Sequence, residues 1–244
     1  MLFRKKSKKI KPDLSVLHTD MHSHLIPGID DGSPDMMTSL HLISGMVNLG
    51  FKKLITTPHI MQDMYPNKRD DILRKLEPLK SEVRSKGLDV EIIAAAEYFL
   101  DDHVTGLLKN KEPLLAISGN MILVEFSMVN PSFGLKEILF EMQMQGYTPV
   151  IAHPERYVYL EGNKDFFEEL KTIGCLFQLN LLSLTGYYGK NVFEFYQYLA
   201  KKNNYDLIGT DLHNSHHLES LHDSRINTHV QKLLDSGKII NTQL

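Results

Sequence analysis

The sequence predicts an α/β protein in which a parallel sheet rolls into a distorted or incomplete barrel of seven β/α units. Three observations point there. Seven short runs rich in Val, Ile and Leu alternate with longer segments of helical period, the pattern of parallel strands joined by crossover helices. So many such units in one chain favour a barrel over an open doubly wound sheet. No Gly-x-Gly-x-x-Gly follows any run and no Gly-Lys-Ser/Thr phosphate loop occurs, so nucleotide-binding α/β sheets lose ground.

In chain order, the expected strands are 16–21, 53–57, 90–96, 121–126, 149–152, 176–181 and 205–209. The helix expected at 33–49 has a Ser-Pro start and ends at Gly50, and the one at 68–86 ends at Gly87, both ordinary helix punctuation. Further helices are expected at 131–145, 164–173, 192–203 and 218–235, with a shorter one at 102–109.

The 244 residues, 42% hydrophobic and 23% charged, suit one large domain over 14–244. No apolar run approaches the roughly 18 residues that span a bilayer, and no apolar segment follows the basic N-terminus, so the expected location is the cytoplasm. The single cysteine, Cys175, excludes an intramolecular disulfide framework and a Cys-based zinc cluster. Arg4, Lys5, Lys6, Lys8, Lys9 and Lys11 form a run without acids, read as a flexible tail over 1–13, with contact to an anionic membrane surface or an acidic partner as the sharper alternative. The body beyond that tail is acidic and has no basic stripe with interleaved aromatics, which argues against nucleic acid as a partner.

The placement of polar residues is more informative, because parallel barrels collect catalytic groups at the C-terminal ends of their strands. Strand one runs into His22 and His24, whose alternation lets two imidazoles face one ion, with Asp31 following in Gly28-Ile29-Asp30-Asp31-Gly32. The second strand ends at Thr57-Pro58-His59, the third at Glu97 and the fourth at Glu125. Strand five leads into His153-Pro154-Glu155-Arg156, and strand seven into Asp211-Leu212-His213. Only strand six lacks an ionisable end. Nine ionisable groups on one rim would be costly without cations. Imidazole and carboxylate without thiolate suit manganese, iron or zinc, in a set of two or three ions. His103, His216, His217, His222 and His229 fall in helical or polar segments and are read as ordinary surface residues.

His22-Ser23-His24, Asp30-Asp31-Gly32, Thr57-Pro58-His59, Glu97, Glu125, Ala152-His153-Pro154-Glu155-Arg156 and Asp211-x-His213 resemble the polymerase and histidinol phosphatase (PHP) superfamily. More narrowly they resemble the bacterial metal-dependent protein-tyrosine phosphatases, with the match running in order from about residue 20 to 213. The resemblance implies a distorted TIM-like (β/α)7 barrel of the PHP type. It also implies, as substrate and partner, an autophosphorylating tyrosine kinase of capsule and exopolysaccharide synthesis. On the family's trinuclear pattern, His22, His24, Glu97 and Asp211 would hold the first ion. Glu97 would bridge to a second, shared with Glu125 and His153, and the third would take Asp31, His59 and His213. Manganese is the expected metal, with iron or zinc as alternatives. Arg156 matches the family's phosphate-binding arginine and, with Glu97 and Asp211, completes the expected catalytic set. A second family arginine is missing after Asp211-x-His213. Arg225, or otherwise His216 or His217, is the expected replacement.

The chemistry implied is in-line attack on phosphorus by a metal-bound water of lowered pKa, with no phosphocysteine. A thiol mechanism needs Arg six positions after the cysteine, and Leu181 stands six after Cys175, which reads as a core residue. The loop 59–67 is long enough to reach over the site, and Tyr187-Tyr188 could line it, although surface packing is the preferred reading of these aromatics. The competing functions are a small-molecule phosphatase such as a histidinol phosphatase, a metal-dependent nuclease disfavoured by the acidic body, and a non-catalytic module that binds a phosphoprotein.

Overall fold

The structure, a computed structural model, describes residues 12–130 and 134–244; the basic run at 4–11 and the expected helix start at Pro131 lie outside the described residues. Among the described residues nine strands appear where seven were expected, all paired in parallel. One sheet holds β1 (Thr19–Asp20), β2 (Lys53–Thr56) and β4 (Glu91–Ala94). The other holds β3 (His59–Ile60), β5 (Glu97–Phe99), β6 (Met121–Glu125), β7 (Thr148–Ala152), β8 (Leu176–Asn180) and β9 (Leu207–Gly209).

The two extra strands come from interruptions. The second expected strand breaks at Thr57-Pro58, where proline has no N–H to give a ladder, and the third breaks at Ala95-Ala96. Pairing nonetheless carries across: Ala95 N–H donates to Thr56 O at 2.9 Å and Glu97 N–H to Pro58 O at 3.1 Å. The partner offset is 38 positions on both sides of the break, as in Leu54 with Ile92 and His59 with Glu97. Thus β3 and β5 are bent continuations of β2 and β4 that carry the chain from one sheet into the other.

The first strand departs further from expectation. Of the run 16–21 only Thr19–Asp20 is strand, because Ser15–Leu17 form a single 3-10 turn and His18 takes a φ of 61°. Leu14 and Leu17 are fully buried in that turn, so its apolar residues plug the core instead of extending the sheet. Past Asp20 the chain pairs on its other side. Ser23 bridges in parallel to Leu212, Asp211 N–H donates to His22 O at 2.8 Å, and His24 N–H donates to Leu212 O at 2.9 Å. The two sheets therefore meet where the His22 and Asp211 motifs lie.

The helices are α1 (Met36–Asn48), α2 (Arg69–Ser85), α3 (Asp102–Lys109), α4 (Leu135–Met144), α5 (Lys164–Thr172), α6 (Lys190–Lys201), α7 (Ser215–Ser220) and α8 (Arg225–Leu234). Ser33-Pro34 precede α1 and do not open it; Asp35 is its cap, accepting the Thr38 N–H at 2.8 Å. The single helix expected at 218–235 is two. Asn214 caps α7 by accepting the His217 N–H, and between α7 and α8 the Asp223 carboxylate takes the Arg225 N–H at 2.9 Å, a side-chain turn that competes with helix continuation.

Alternation along the strands divides the core. Leu54, Val124, Ile151 and Ile208 join the large cluster between strands and helices, whereas their neighbours Ile55, Leu123, Val150 and Leu207 join Met21, Ala95 and Ala152 in a smaller, separate cluster. That smaller cluster lies on the strand faces that carry the candidate site at their far ends.

Candidate metal centre

All nine expected ligand residues gather at the C-terminal strand ends. Eight of them, all but His153, form three overlapping groups whose ligand atoms lie within 4.8 Å of one another: His22, His24, Glu97 and Asp211; His24, Asp31, His59 and His213; and His59, Glu97 and Glu125. Glu97 is the hub. Its Oε2 stands 3.1 Å from His22 Nε2, 3.4 Å from His24 Nε2 and 3.3 Å from His59 Nδ1, while Oε1 faces His153 Nε2 at 3.3 Å. The first group is the set implied for the first ion. His153 reaches the hub as expected, but the group around Glu125 contains His59, whose Nδ1 is 3.0 Å from Glu125.

Groups given no such role in the sequence reading aim these ligands. The His22 Nδ1–H donates to Gln178 Oε1 at 2.9 Å, His24 Nδ1 meets Asp30 Oδ2 at 2.8 Å, and His213 Nδ1 meets the Asp211 carbonyl at 2.9 Å. Because each of those partners is an acceptor, each Nδ1 carries the proton and Nε2 is left facing the cluster. Asn180 Nδ2 donates to Asp211 Oδ2 at 2.9 Å, leaving Oδ1 toward the imidazoles. Gln178 and Asn180 sit two apart on β8, the strand without an ionisable end; two amides inside Leu-Phe-Gln-Leu-Asn were the available signal.

Local backbone also serves the cluster. A Cβ on Gly32 would fall 2.4 Å from His24 Cβ, and one on Gly209 would fall 2.7 Å from His22 Cβ, so both imidazoles depend on a neighbour without a side chain. His153 and Asp211 take φ of 32° and 51°, left-handed values that cost energy for residues with a Cβ and re-aim their side chains as the strands end.

Burial raises the Glu97 carboxyl, but the charges of His22 and His59, with His153 beside it, outweigh that effect and hold the group well below the usual carboxylate range. Asp211 is likewise held low against its burial, by His22, His213 and Arg156. For His59 burial acts downward, and Glu97 with bonds to Asp31 and Glu125 carries it up to about 10. Anionic oxygens and imidazoles whose protons a cation can displace are the donor set a divalent ion needs. Glu97 Oε1 and Asp211 Oδ1 are buried without a hydrogen bond even though imidazole nitrogens stand 3.3 Å away. Atoms that converge without bonding fit ligands arranged around shared ions.

Above the cluster opens a cavity of about 410 Å3, lined by Asp31, His59, Glu97, Glu125, His153, Asp211 and His213 together with Arg156, Tyr188, Asn214 and His217. A larger cavity of about 520 Å3 beside α2 and α3 contains none of the three ligating groups, so chemistry and not volume marks the site. Arg156 donates from Nη1 to Asp211 Oδ2 at 2.8 Å, with its guanidinium carbon 4.5 Å from the Tyr188 ring centre. Arg225, expected to bind substrate, does not line this cavity. It lines a different cavity and its guanidinium pairs with Asp223, an alternative created by the break between α7 and α8. His217 reaches the site instead, its Nδ1 3.3 Å from the Asp211 carbonyl oxygen, whereas His216 is not part of the lining.

The loop 59–67 does reach over the site: Met61, Met64 and Tyr65 line the cavity, and Tyr65 stacks on His59 at 5.5 Å. Surface packing, expected for the aromatics, holds for Tyr187 against His216 and His217 but not for Tyr65 and Tyr188. Cys175 is 1% exposed and burial pushes its thiol up to about 12, as suits a core residue. No helix among the described residues is long and apolar enough to cross a membrane.

Known proteins resemble this chain in sequence and fold. The sequence profile of the family described as capsular polysaccharide synthesis, CpsB/CapC, matches residues 18–236. A putative tyrosine-protein phosphatase CapC of Staphylococcus aureus is 28% identical over 194 residues, covering 80% of this chain and 76% of its own. The tyrosine-protein phosphatase CpsB of Streptococcus pneumoniae is 30% identical over 205 residues, covering 80% and 82%. Among solved structures, one from work on YwqE of Bacillus subtilis and CpsB of Streptococcus pneumoniae, described as unique metal-dependent tyrosine phosphatases, superposes with a TM-score of 0.78. It is 25% identical and covers 88% of this chain and 86% of its own.

Proposed function

This chain belongs to the CpsB/CapC family of capsular polysaccharide synthesis, and from that premise we propose that it is a metal-dependent protein-tyrosine phosphatase. Its substrate is a phosphorylated bacterial tyrosine kinase of capsule or exopolysaccharide synthesis. That partner places the enzyme in the cytoplasm, with the barrel closed through residues 22–24 and 210–212. Two or three divalent ions, manganese first, would occupy the centre. His22, His24, Glu97 and Asp211 would hold one, Glu97, Glu125 and His153 a second, and Asp31, His59 and His213 a third. The observation that carries this reading is the position of Glu97, whose two oxygens face four imidazoles from three different segments.

When bound, such ions supply neutralising charge for a phosphate monoester and an acidified water for in-line attack. The chain's own residues do the rest. Arg156 offers a planar fork of donors to the phosphoryl oxygens, and Asp211 and the Tyr188 ring fix that fork before substrate arrives. Asn180 holds Asp211, Gln178 holds His22 and Asp30 holds His24, so little reorganisation accompanies binding. Met61, Met64 and Tyr65 offer apolar surface to an aryl group at the mouth. Cys175 takes no part.

The test is metal removal by chelation, re-addition of manganese, iron, zinc or magnesium singly, and turnover of a phosphotyrosine peptide beside a phosphoserine peptide and histidinol phosphate. The reading expects activity to vanish and return with metal, and phosphotyrosine to be preferred. Preference for histidinol phosphate would transfer the site to a small-molecule phosphatase.

A further inference from the structure

The cavity over the metal centre adjoins a second one of about 430 Å3, and the two share Met128, Arg156 and Tyr188 as a common wall. The second cavity has a different character. Val158 and Val192 give it apolar surface, and the charged groups that line it, Arg156 and Lys190, are both cations. Among the described residues no carboxylate lines it, whereas Asp31, Glu97, Glu125 and Asp211 line the first. Its volume falls within the roughly 300–1,000 Å3 of ordinary ligand sites. Lys190 is 81% exposed at its side chain and faces Glu194 one turn along α6 at 3.6 Å, an exposed pairing weak enough to be exchanged for a ligand. A phosphoryl group gripped by Arg156 leaves the polypeptide bearing it to continue across Tyr188 toward Lys190.

We propose that this second cavity is a specificity subsite for the residue flanking the phosphotyrosine and that it selects an acidic side chain, whose carboxylate meets Lys190 while its stem lies along Val158 and Val192. The proposal rests on the phosphotyrosine reading above. Charge selects the occupant: a basic flanking residue faces two cations at close quarters, and a neutral one leaves Lys190 with no partner from the substrate. Because Lys190 stands at the rim, its influence falls on substrate capture, so it acts on kcat/KM more than on kcat and weakens with added salt.

The test compares metal-loaded wild type, Lys190→Glu and Asn191→Trp, the last placing bulk in the cavity from an exposed position. Substrates are p-nitrophenyl phosphate and three phosphotyrosine peptides that differ only in flanking residues, Glu, Ala or Lys. Wild type should prefer the Glu peptide to the Lys peptide by about tenfold in kcat/KM. Lys190→Glu should reverse that order, Asn191→Trp should depress all three peptides, and p-nitrophenyl phosphate should change by less than about twofold in either variant. Equal rates on the three peptides, an unaltered order in Lys190→Glu, or parallel losses on p-nitrophenyl phosphate would each overturn the subsite. A wild type that turns over p-nitrophenyl phosphate and no phosphotyrosine peptide would instead remove the phosphotyrosine reading, and the subsite with it.

Discussion

Leu123 and Glu125 lie two residues apart on β6, and Ala95 and Glu97 lie two apart across the bend into β5, so each pair points to one side of its strand. Leu123 and Ala95 belong to a dry apolar layer with Met21, Ile55, Val150, Ala152 and Leu207; Glu125 and Glu97 belong to the ligand cluster directly beyond it. The layer excludes water from beneath the cluster and so strengthens every interaction of its charges, whereas the cluster holds buried charged groups whose desolvation costs energy that their mutual pairing offsets. One strand thus carries stability at one end and chemistry at the other, and a substitution should damage one without the other.

The sharpest way to break that division is Glu97→Gln. Hydrolysis should fall about a thousandfold or more with metal in excess, because the hub of the ligand set is lost, while the melting temperature of the metal-free protein should shift by only a few degrees. Near wild-type steady-state turnover would sink the multinuclear site. Leu123→Ala is the converse. It should cost about 2–5 kcal/mol in denaturant unfolding and leave turnover per folded molecule within a few fold; a large loss of turnover would mean the layer tunes the site directly.

Between layer and cluster stands Gln178, and Gln178→Leu should weaken metal binding by about 10–100-fold, read by titration of the metal-free protein. Unaltered affinity would demote the His22–Gln178 bond to packing. The pH response separates the regions again. His59, raised from its ordinary value to about 10 chiefly by Glu97 against the effect of burial, contributes stability that is complete below about 6.5 and is lost as pH rises through about 10. Metal-free protein should therefore lose melting temperature over that window and metal-loaded protein should not. A flat profile for both would deny His59 its partners. The smallest effect is expected at Cys175→Ala, which should leave turnover unchanged in the same kinetic assay; a phosphocysteine trapped on quenching wild type would reverse the mechanism.

Legibility followed the same boundary. His22, His24, Asp31, His59, Glu97, Glu125, His153, Asp211 and His213 could be picked out because strand ends in a parallel α/β chain share a rim and polar groups there interrupt apolar runs. The bends at Thr57-Pro58 and Ala95-Ala96 escaped notice because pairing continues through them, and the 3-10 turn Ser15–Leu17 escaped because its residues are as apolar as a strand's.

By itself, then, the sequence determined the alternation of strands and helices, the rim on which the candidate ligands meet and the absence of a reactive thiol, since alternation, helix punctuation and residue chemistry are properties of short stretches of chain. Only the tertiary structure decided that Gln178 and Asn180 aim His22 and Asp211, that His217 and not Arg225 reaches the site, and that a cationic cavity continues the active one past Tyr188. These depend on contacts such as His22 with Gln178, 156 positions apart, and on the turn at Asp223 that holds Arg225 away. No local pattern encodes a hydrogen bond between distant segments, because its geometry exists only once the register of all the intervening strands has been set.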